Sequence, residues 1–152
     1  MRGLSLPAAL ISLLETRGWL PPGPRVLHDV IPWFADPLMF MADLHDMRLQ
    51  NKALDSIADN SSLSSLFRIT RASQTGRDLD LPWLDADQAV LIAVNEHAGD
   101  DVALALDYRT DAANPRVVAS DIWSDATQHS WRIVTPTFTD LLAAFNRSAS
   151  TE

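Results

Sequence analysis

Two neighbouring stretches near the middle of the chain have the hydrophobic patterns of paired β-strands. Residues 89–94 form a short apolar run that is rich in β-branched side chains. Residues 102–108 alternate between large and small side chains, a pattern typical of a strand. Gly99 lies in the polar connection, where a residue with positive φ suits a hairpin turn. The pattern predicts a central hairpin whose large-residue face is buried. The other face, which contains Asp107 beside alanines, is expected either to be exposed to water or to be approached closely by another surface.

Patterns on both sides of this hairpin predict helices and further strands. An apolar stripe in residues 6–14, capped by Ser5, predicts a first helix, and Asp36-Pro37 predicts the start of a second that runs to about residue 48. Residues 25–31 are interpreted as an extended piece or a loop. Strands are predicted at residues 66–71, 115–119 and 130–134, and a capping box from Thr137 to Asp140 predicts the last helix.

Together these elements predict one α+β domain over residues 1–146, followed by a frayed tail at 147–152. The expected architecture is a mostly antiparallel sheet of about five or six strands with helices packed on one face. A chain of 152 residues is long enough for one domain with a substantial core, and no repeat or linker divides it.

The charge balance narrows the class of partner. The chain has 20 Asp and Glu against 12 Lys and Arg, a formal net charge of −8. This excess disfavours binding to nucleic acid and favours a basic protein partner, although acidity also serves solubility alone. The absence of cysteine fits a cytoplasmic protein. The apolar stretch 4–14 is too short to span a bilayer, so no membrane association is expected.

No catalytic, metal or cofactor motif is present, so the sequence indicates neither an enzyme nor a cofactor. The aspartates at 78–87 and 100–111 lack the spacing of a calcium loop and are interpreted as turn formers. The four histidines are scattered singly, without the spacing of a metal or catalytic pair. A small hydrolase remains a third functional alternative, although no catalytic set points to it.

Candidate binding residues come from the tryptophans and from the acidic turns. Trp83 and Trp123 are the better interface candidates among five tryptophans, because Trp is favoured at protein interfaces; the alternative is that they close the rim of the core. Acidic side chains cluster before and within the hairpin. We predict that these loops form a negative rim at one end of the sheet, with Trp83 inside it. The acidic residues of this rim are Asp78, Asp80, Asp85 and Asp87 before the hairpin, and Glu96, Asp100 and Asp101 within it.

The C-terminal half resembles the SUKH superfamily, which includes fungal cell-wall regulators and many immunity proteins of bacterial toxin systems. The resemblance covers about residues 83–146. It rests on the Gly99-Asp100 turn, the strand 103–107 ending in Asp, the strand 115–118 followed by Asp121, Trp131, and the closing helix 137–142. The first half of the chain departs from the family pattern.

The resemblance implies a non-enzymatic binding module. The first hypothesis is an immunity protein that neutralises a cognate toxin by occluding its active site. The second is an intracellular regulatory or adaptor domain without a toxin partner. No catalytic residue is implied by the resemblance.

Overall fold

A five-stranded antiparallel sheet lies at the centre of the computed structural model, which describes residues 1, 3–59, 81–82, 84–97, 102–124 and 130–150. Around it pack helices, as expected for an α+β fold. The helices are α1 (Ala8–Glu15), α2 (Pro24–Val30), α3 (Leu44–Asp59) and α4 (Phe138–Ala149). The strands are β1 (Leu38–Phe40), β2 (Ala89–Asn95), β3 (Ala103–Asp107), β4 (Arg116–Asp121) and β5 (Ser130–Thr135).

The strands lie side by side in chain order, so β3 is the central strand of the sheet. Its neighbours β2 and β4 are both antiparallel to it, with Leu104 opposite Ala93 on one side and Ala119 on the other. The predicted central hairpin is therefore confirmed. Since neighbouring strands alternate in direction, the ends of β2 and β4 lie at the same end of the sheet as the start of β3.

The large-residue face of the sheet packs against an aromatic cluster. Phe40 lies opposite Ala93 and therefore shares the face of Leu104, which is fully buried. The ring of Trp19 lies 4.7 Å from Phe40 and 5.6 Å from Phe138 of α4, measured between centroids. The indole Nε1 of Trp19 also donates a 3.0 Å hydrogen bond to the carbonyl of Ile92. These contacts seat α4 and the segment after α1 on this face.

The small-residue face is buried as well, which decides between the two alternatives left open by its sequence. Ala105 and Asp107 are both 0% exposed. The Asp107 carboxylate accepts hydrogen bonds from the side chains of Arg109 and Arg116, each at 2.8 Å. Burial there is possible because the charge is paired and hydrogen-bonded. Arg109 and Arg116 follow Asp107 closely in the sequence, but only the β3–β4 pairing brings Arg116 opposite it.

Strand β1 is short and pairs only with the last part of β2. Beyond it, a side chain of α3 bonds to the free edge of β2. The buried side chain of Asn51 donates to the carbonyl of Leu91 at 2.9 Å and accepts from its N–H at 2.8 Å. The amide therefore occupies the place of a further strand residue. Without it, two buried backbone groups would be unpaired.

Two predictions for the N-terminal third are wrong. The segment after Asp36-Pro37 forms the strand β1 rather than a helix, because Leu38–Phe40 pairs with the end of β2 and buries alternate side chains. Helix α3 begins later, where Asp43 accepts from the N–H of Asp46 at 2.9 Å, as a helix cap does. Residues 25–31, interpreted as extended or loop, fall mostly in α2, with Pro24 in its first turn.

The C-terminal predictions agree closely with the structure. Strands β4 and β5 lie where they were expected, and the side chain of Thr137 accepts from the N–H of Asp140 at the start of α4. Helix α4 continues to Ala149, so the residues after 146 are helical for three more positions. The predicted strand 66–71 lies outside the described residues. No helix in the described ranges is long and apolar enough to cross a membrane.

Candidate protein-binding site

A groove with a volume of about 530 Å³ lies between α2 and the β1–β2 edge of the sheet. We call it the proline groove, because four of the residues that line it are prolines: Pro21, Pro22, Pro24 and Pro37. Leu27, Phe34, Ala35 and Leu38 add apolar surface. The polar side chains of the lining are His28, Asp36 and Glu96.

Local structure holds the walls of this groove in place. Gly23 and Pro24 begin α2, where the carbonyl of Gly23 accepts from the N–H of Leu27 at 3.0 Å. Phe34 is held by a 3.0 Å hydrogen bond from its N–H to the carbonyl of Ile31. Because proline fixes φ near −65°, the connector before α2 has little conformational freedom. The groove is thus formed before any ligand arrives.

The acidic rim of the groove joins two segments that are distant in the sequence. The N–H of Glu96, just after β2, donates to the carbonyl of Pro37 at 3.2 Å, next to Asp36. Within the described ranges, neither the Asp36 nor the Glu96 carboxylate forms a hydrogen bond or an ion pair. Two acceptor groups therefore face solvent beside an apolar surface.

An aromatic cluster adjoins the groove through Phe34. Its ring meets the ring of Trp123 edge to face, with centroids 4.8 Å apart, a favourable arrangement for aromatic pairs. The guanidinium of Arg132 lies over the ring of Trp33, 4.1 Å from its centroid. The Trp33 Nε1 is buried without a hydrogen-bond partner. Through Phe34 this cluster connects the lining of the groove to the loop that follows β4.

Asp121 organises the loop that positions Trp123. One oxygen of its buried carboxylate accepts from the N–H groups of Trp123 and Ser124, and the other accepts from Arg132 Nη1 at 2.9 Å. Burial acts to raise the pKa of Asp121, but hydrogen bonds from Ser124, Arg132 and the Trp123 backbone outweigh it and lower the pKa to about 2. The carboxylate is therefore charged and fully engaged, and its role is to hold the loop.

The structure divides the predicted site residues between the two ends of the sheet. Glu96 and Trp123 follow β2 and β4 and lie at the groove end. Asp85 and Asp87 precede β2, at the other end, and the seven residues of β2 separate them from Glu96 by about 20 Å. A single negative rim containing Asp85, Asp87 and Glu96 is therefore excluded. The other predicted residues of the rim lie outside the described residues: Asp78, Asp80, Trp83, Asp100 and Asp101.

Asp85 is also buried, with 7% exposure. Its carboxylate accepts from the N–H of Asp87 at 2.9 Å and caps the short helical turn Ala86–Gln88 that leads into β2. Asp87 itself is exposed. This arrangement matches the turn-forming interpretation of the acidic stretch. In the part of the chain that the structure describes, no group of three or more His, Asp or Glu could hold a metal ion.

Sequence reasoning missed Phe34 and Asp36 as site residues. Its one usable signal was the density of prolines in residues 21–37, since prolines make rigid walls. Asp36 was interpreted as a helix cap. For that reason it was not considered as a binding residue at the rim of the groove. Only the pairing of β1 with β2 brings Asp36 and Glu96 to one groove.

No protein-family model, curated protein or solved structure matches this chain.

Proposed function

We propose that this chain is a non-enzymatic protein-binding module, and more specifically an immunity protein that neutralises a basic toxin by occluding its active site. The observation that supports it is the preformed apolar groove, whose rim carries two carboxylates without a partner among the described residues. The net charge of −8 favours the same class of partner. A basic protein gains both apolar contact and charge complementarity at such a surface.

The order of elements in the C-terminal half also supports a SUKH-like module. From β2 to α4 the chain runs strand, strand ending in Asp107, strand ending in Asp121, strand containing Trp131, and closing helix. This is the order on which the resemblance rests. Because a scaffold of this kind is used for binding, we propose no catalytic residue. We place its action in the cytoplasm, in keeping with a chain without cysteine.

The direct test is neutralisation of a captured partner. The full chain is immobilised, proteins that bind it are identified, and each basic candidate is expressed alone and together with the chain. We expect a candidate that arrests growth when alone and is relieved by the chain in a stoichiometric complex. An unrelated acidic protein of similar net charge is the control, since rescue by that protein would mean that charge alone suffices. Captured partners that are all harmless would overturn the immunity proposal.

Kinetics test the electrostatic part of the proposal. If charge steers the partner, the association rate falls as salt rises from low to physiological ionic strength, because exposed charges are then screened. Neutralising Asp100 and Asp101 is expected to lower that rate, whereas Trp83→Ala is expected to raise the dissociation rate. An association rate that does not change with salt would mean that the negative charge of the chain serves solubility and does not steer the partner.

A further inference from the structure

The lining of the proline groove is rich in hydrogen-bond acceptors and poor in donors. Proline residues have no backbone N–H, and four of them form the walls. The carboxylates of Asp36 and Glu96 only accept when ionised, and His28 is the polar side chain of the lining that can also donate. A ligand for this lining therefore needs to bring donors of its own. A guanidinium, with five N–H donors and a positive charge, matches that need, whereas a phosphate or carboxylate does not.

The floor of the groove is apolar and is therefore complementary to an apolar group beside that cation. Phe34 and Leu38 are nearly buried in the fold, yet both line the groove. Ala35, between Phe34 and Asp36, is exposed and leaves room above the floor. An apolar side chain placed there would cover Phe34 and Leu38, and a neighbouring cationic side chain would reach the rim.

We propose that the proline groove binds an extended segment of a basic partner protein, with an apolar side chain on Phe34 and Leu38 and an arginine or lysine facing Asp36 and Glu96. This inference rests on the proposed function and names the docking surface for it. The preformed walls favour such a segment, because little ordering of this chain remains to oppose binding.

The first experiment uses capped tripeptides as probes of the full chain. A leucine–arginine–leucine peptide is titrated into isotopically labelled protein at low-millimolar concentration and followed by amide shifts. Leucine–citrulline–leucine and leucine–glutamate–leucine are the matched neutral and anionic probes. We expect shifts at the amides of Leu27, Phe34, Leu38 and Glu96 with the arginine peptide, weaker shifts with citrulline, and none with glutamate. The absence of groove shifts with arginine, or equal shifts with glutamate, overturns the proposal.

Variants then connect the shifts to the two carboxylates. Asp36→Asn combined with Glu96→Gln is expected to weaken the arginine peptide by about fivefold to tenfold and to leave the citrulline peptide unchanged. Glu15→Gln combined with Asp46→Asn removes the same charge from exposed positions on α1 and α3. If that control pair weakens the arginine peptide equally, only net charge matters and the groove assignment is wrong.

Ala35→Phe provides an independent test, because it adds a ring over the groove floor without changing charge. We expect it to abolish binding of both the arginine and the citrulline peptides while the protein stays folded and monomeric. Ala35→Ser, which retains the space, is its folding control. If wild type instead dimerises and Ala35→Phe dissociates the dimer, the occupant is a second copy of this chain and the proposal fails.

Binding measurements with the captured partner test the docking surface and the proposed function separately. If a toxin binds with equal affinity to wild type and to the Asp36→Asn, Glu96→Gln variant, the immunity proposal stands and the docking surface is wrong. If the peptides bind the groove as expected but no captured protein is toxic, the docking surface stands and the immunity proposal is wrong.

Discussion

The two ends of the sheet use the same residue types for opposite purposes. At the end where β3 finishes, Asp107 is 0% exposed and is held by Arg109 and Arg116. At the other end, Asp36 and Glu96 face a groove without a partner among the described residues. A carboxylate that is buried and paired has a structural role within the fold. An unpaired carboxylate at the rim of a groove is available to bind another molecule.

The comparison teaches that acidity alone does not mark a binding surface. Asp85 and Asp121 carry carboxylates as Glu96 does, but each is buried and accepts hydrogen bonds from within the fold. What distinguishes the groove end is an acidic rim beside preformed apolar surface. Changes at the Asp107 end should therefore reduce stability, and changes at the groove rim should reduce binding.

The largest effect is expected for Asp107→Asn. Removing this charge leaves the guanidiniums of Arg109 and Arg116 facing a neutral amide in a buried place. The free energy of unfolding should fall by about 3–5 kcal/mol, as measured by denaturant titration. Asp36→Asn is the matched control at the groove end and should hardly change the free energy of unfolding. Equal losses for the two variants would remove the contrast between the ends.

Leu104→Ala gives a reference value from the middle of the sheet. Leu104 is fully buried on the central strand, so its truncation should lower the free energy of unfolding by about 2–5 kcal/mol. Ile133→Ala, on β5 with 50% exposure, should lose far less. A loss well under 1 kcal/mol for Leu104→Ala would contradict the assignment of strand faces.

Asp121 is expected to behave like a residue of the Asp107 end although it lies near the groove. Asp121→Asn should cost about 1–3 kcal/mol at neutral pH, because it weakens hydrogen bonds to a buried carboxylate. The folded-state pKa of about 2 is below the usual 3.8, so the charged form stabilises above pH 3.8 and this contribution disappears as pH falls towards 2.

The stability difference between wild type and Asp121→Asn should therefore shrink on acidification. Asp107 and Asp111 also have lowered pKa values, Asp107 because its arginine hydrogen bonds outweigh burial and Asp111 through backbone hydrogen bonds. They are present in both proteins, so their contributions cancel in the difference. A difference that stays constant from pH 5 down to about pH 2 would show that the charge of Asp121 adds nothing.

Thr137→Ala should have a smaller effect at the end of the sheet that contains Asp107. The hydroxyl of Thr137 caps α4 by accepting from the N–H of Asp140 at 3.1 Å. Its loss should cost about 1 kcal/mol, measured by thermal or denaturant unfolding. Thr137→Ser keeps the cap and should retain most of that stability. Equal losses for Ala and Ser would assign the effect to the methyl group instead.

The smallest effect on stability is expected at the groove rim. The combined Asp36→Asn and Glu96→Gln variant should unfold within about 0.5 kcal/mol of wild type, because neither carboxylate holds the fold. The same variant should lose affinity for the arginine peptide. A clear drop in the free energy of unfolding would mean that these carboxylates stabilise the fold as Asp107 does. That result would count against the proposed docking surface.

Local patterns in the sequence determined much of the C-terminal half. Strict alternation identified β3, and the Thr137–Asp140 spacing identified the start of α4, because both signals act within a few residues. The large-residue face of β3 was predicted correctly for the same reason. The acidic, cysteine-free composition restricted the class of partner without locating a surface.

Tertiary structure decided residues 24–40 and the site, whereas the first helix was predicted from its apolar stripe. Asp36-Pro37 is a sound local signal for a helix, but pairing with β2 outweighed it and made Leu38–Phe40 a strand. The same β1–β2 pairing brought Asp36 to Glu96, whereas the β3–β4 pairing placed Arg116 opposite Asp107. The β1–β2 contacts join segments far apart in the chain, and the β3–β4 contacts join two separate strands, so no periodicity within a single segment records either of them.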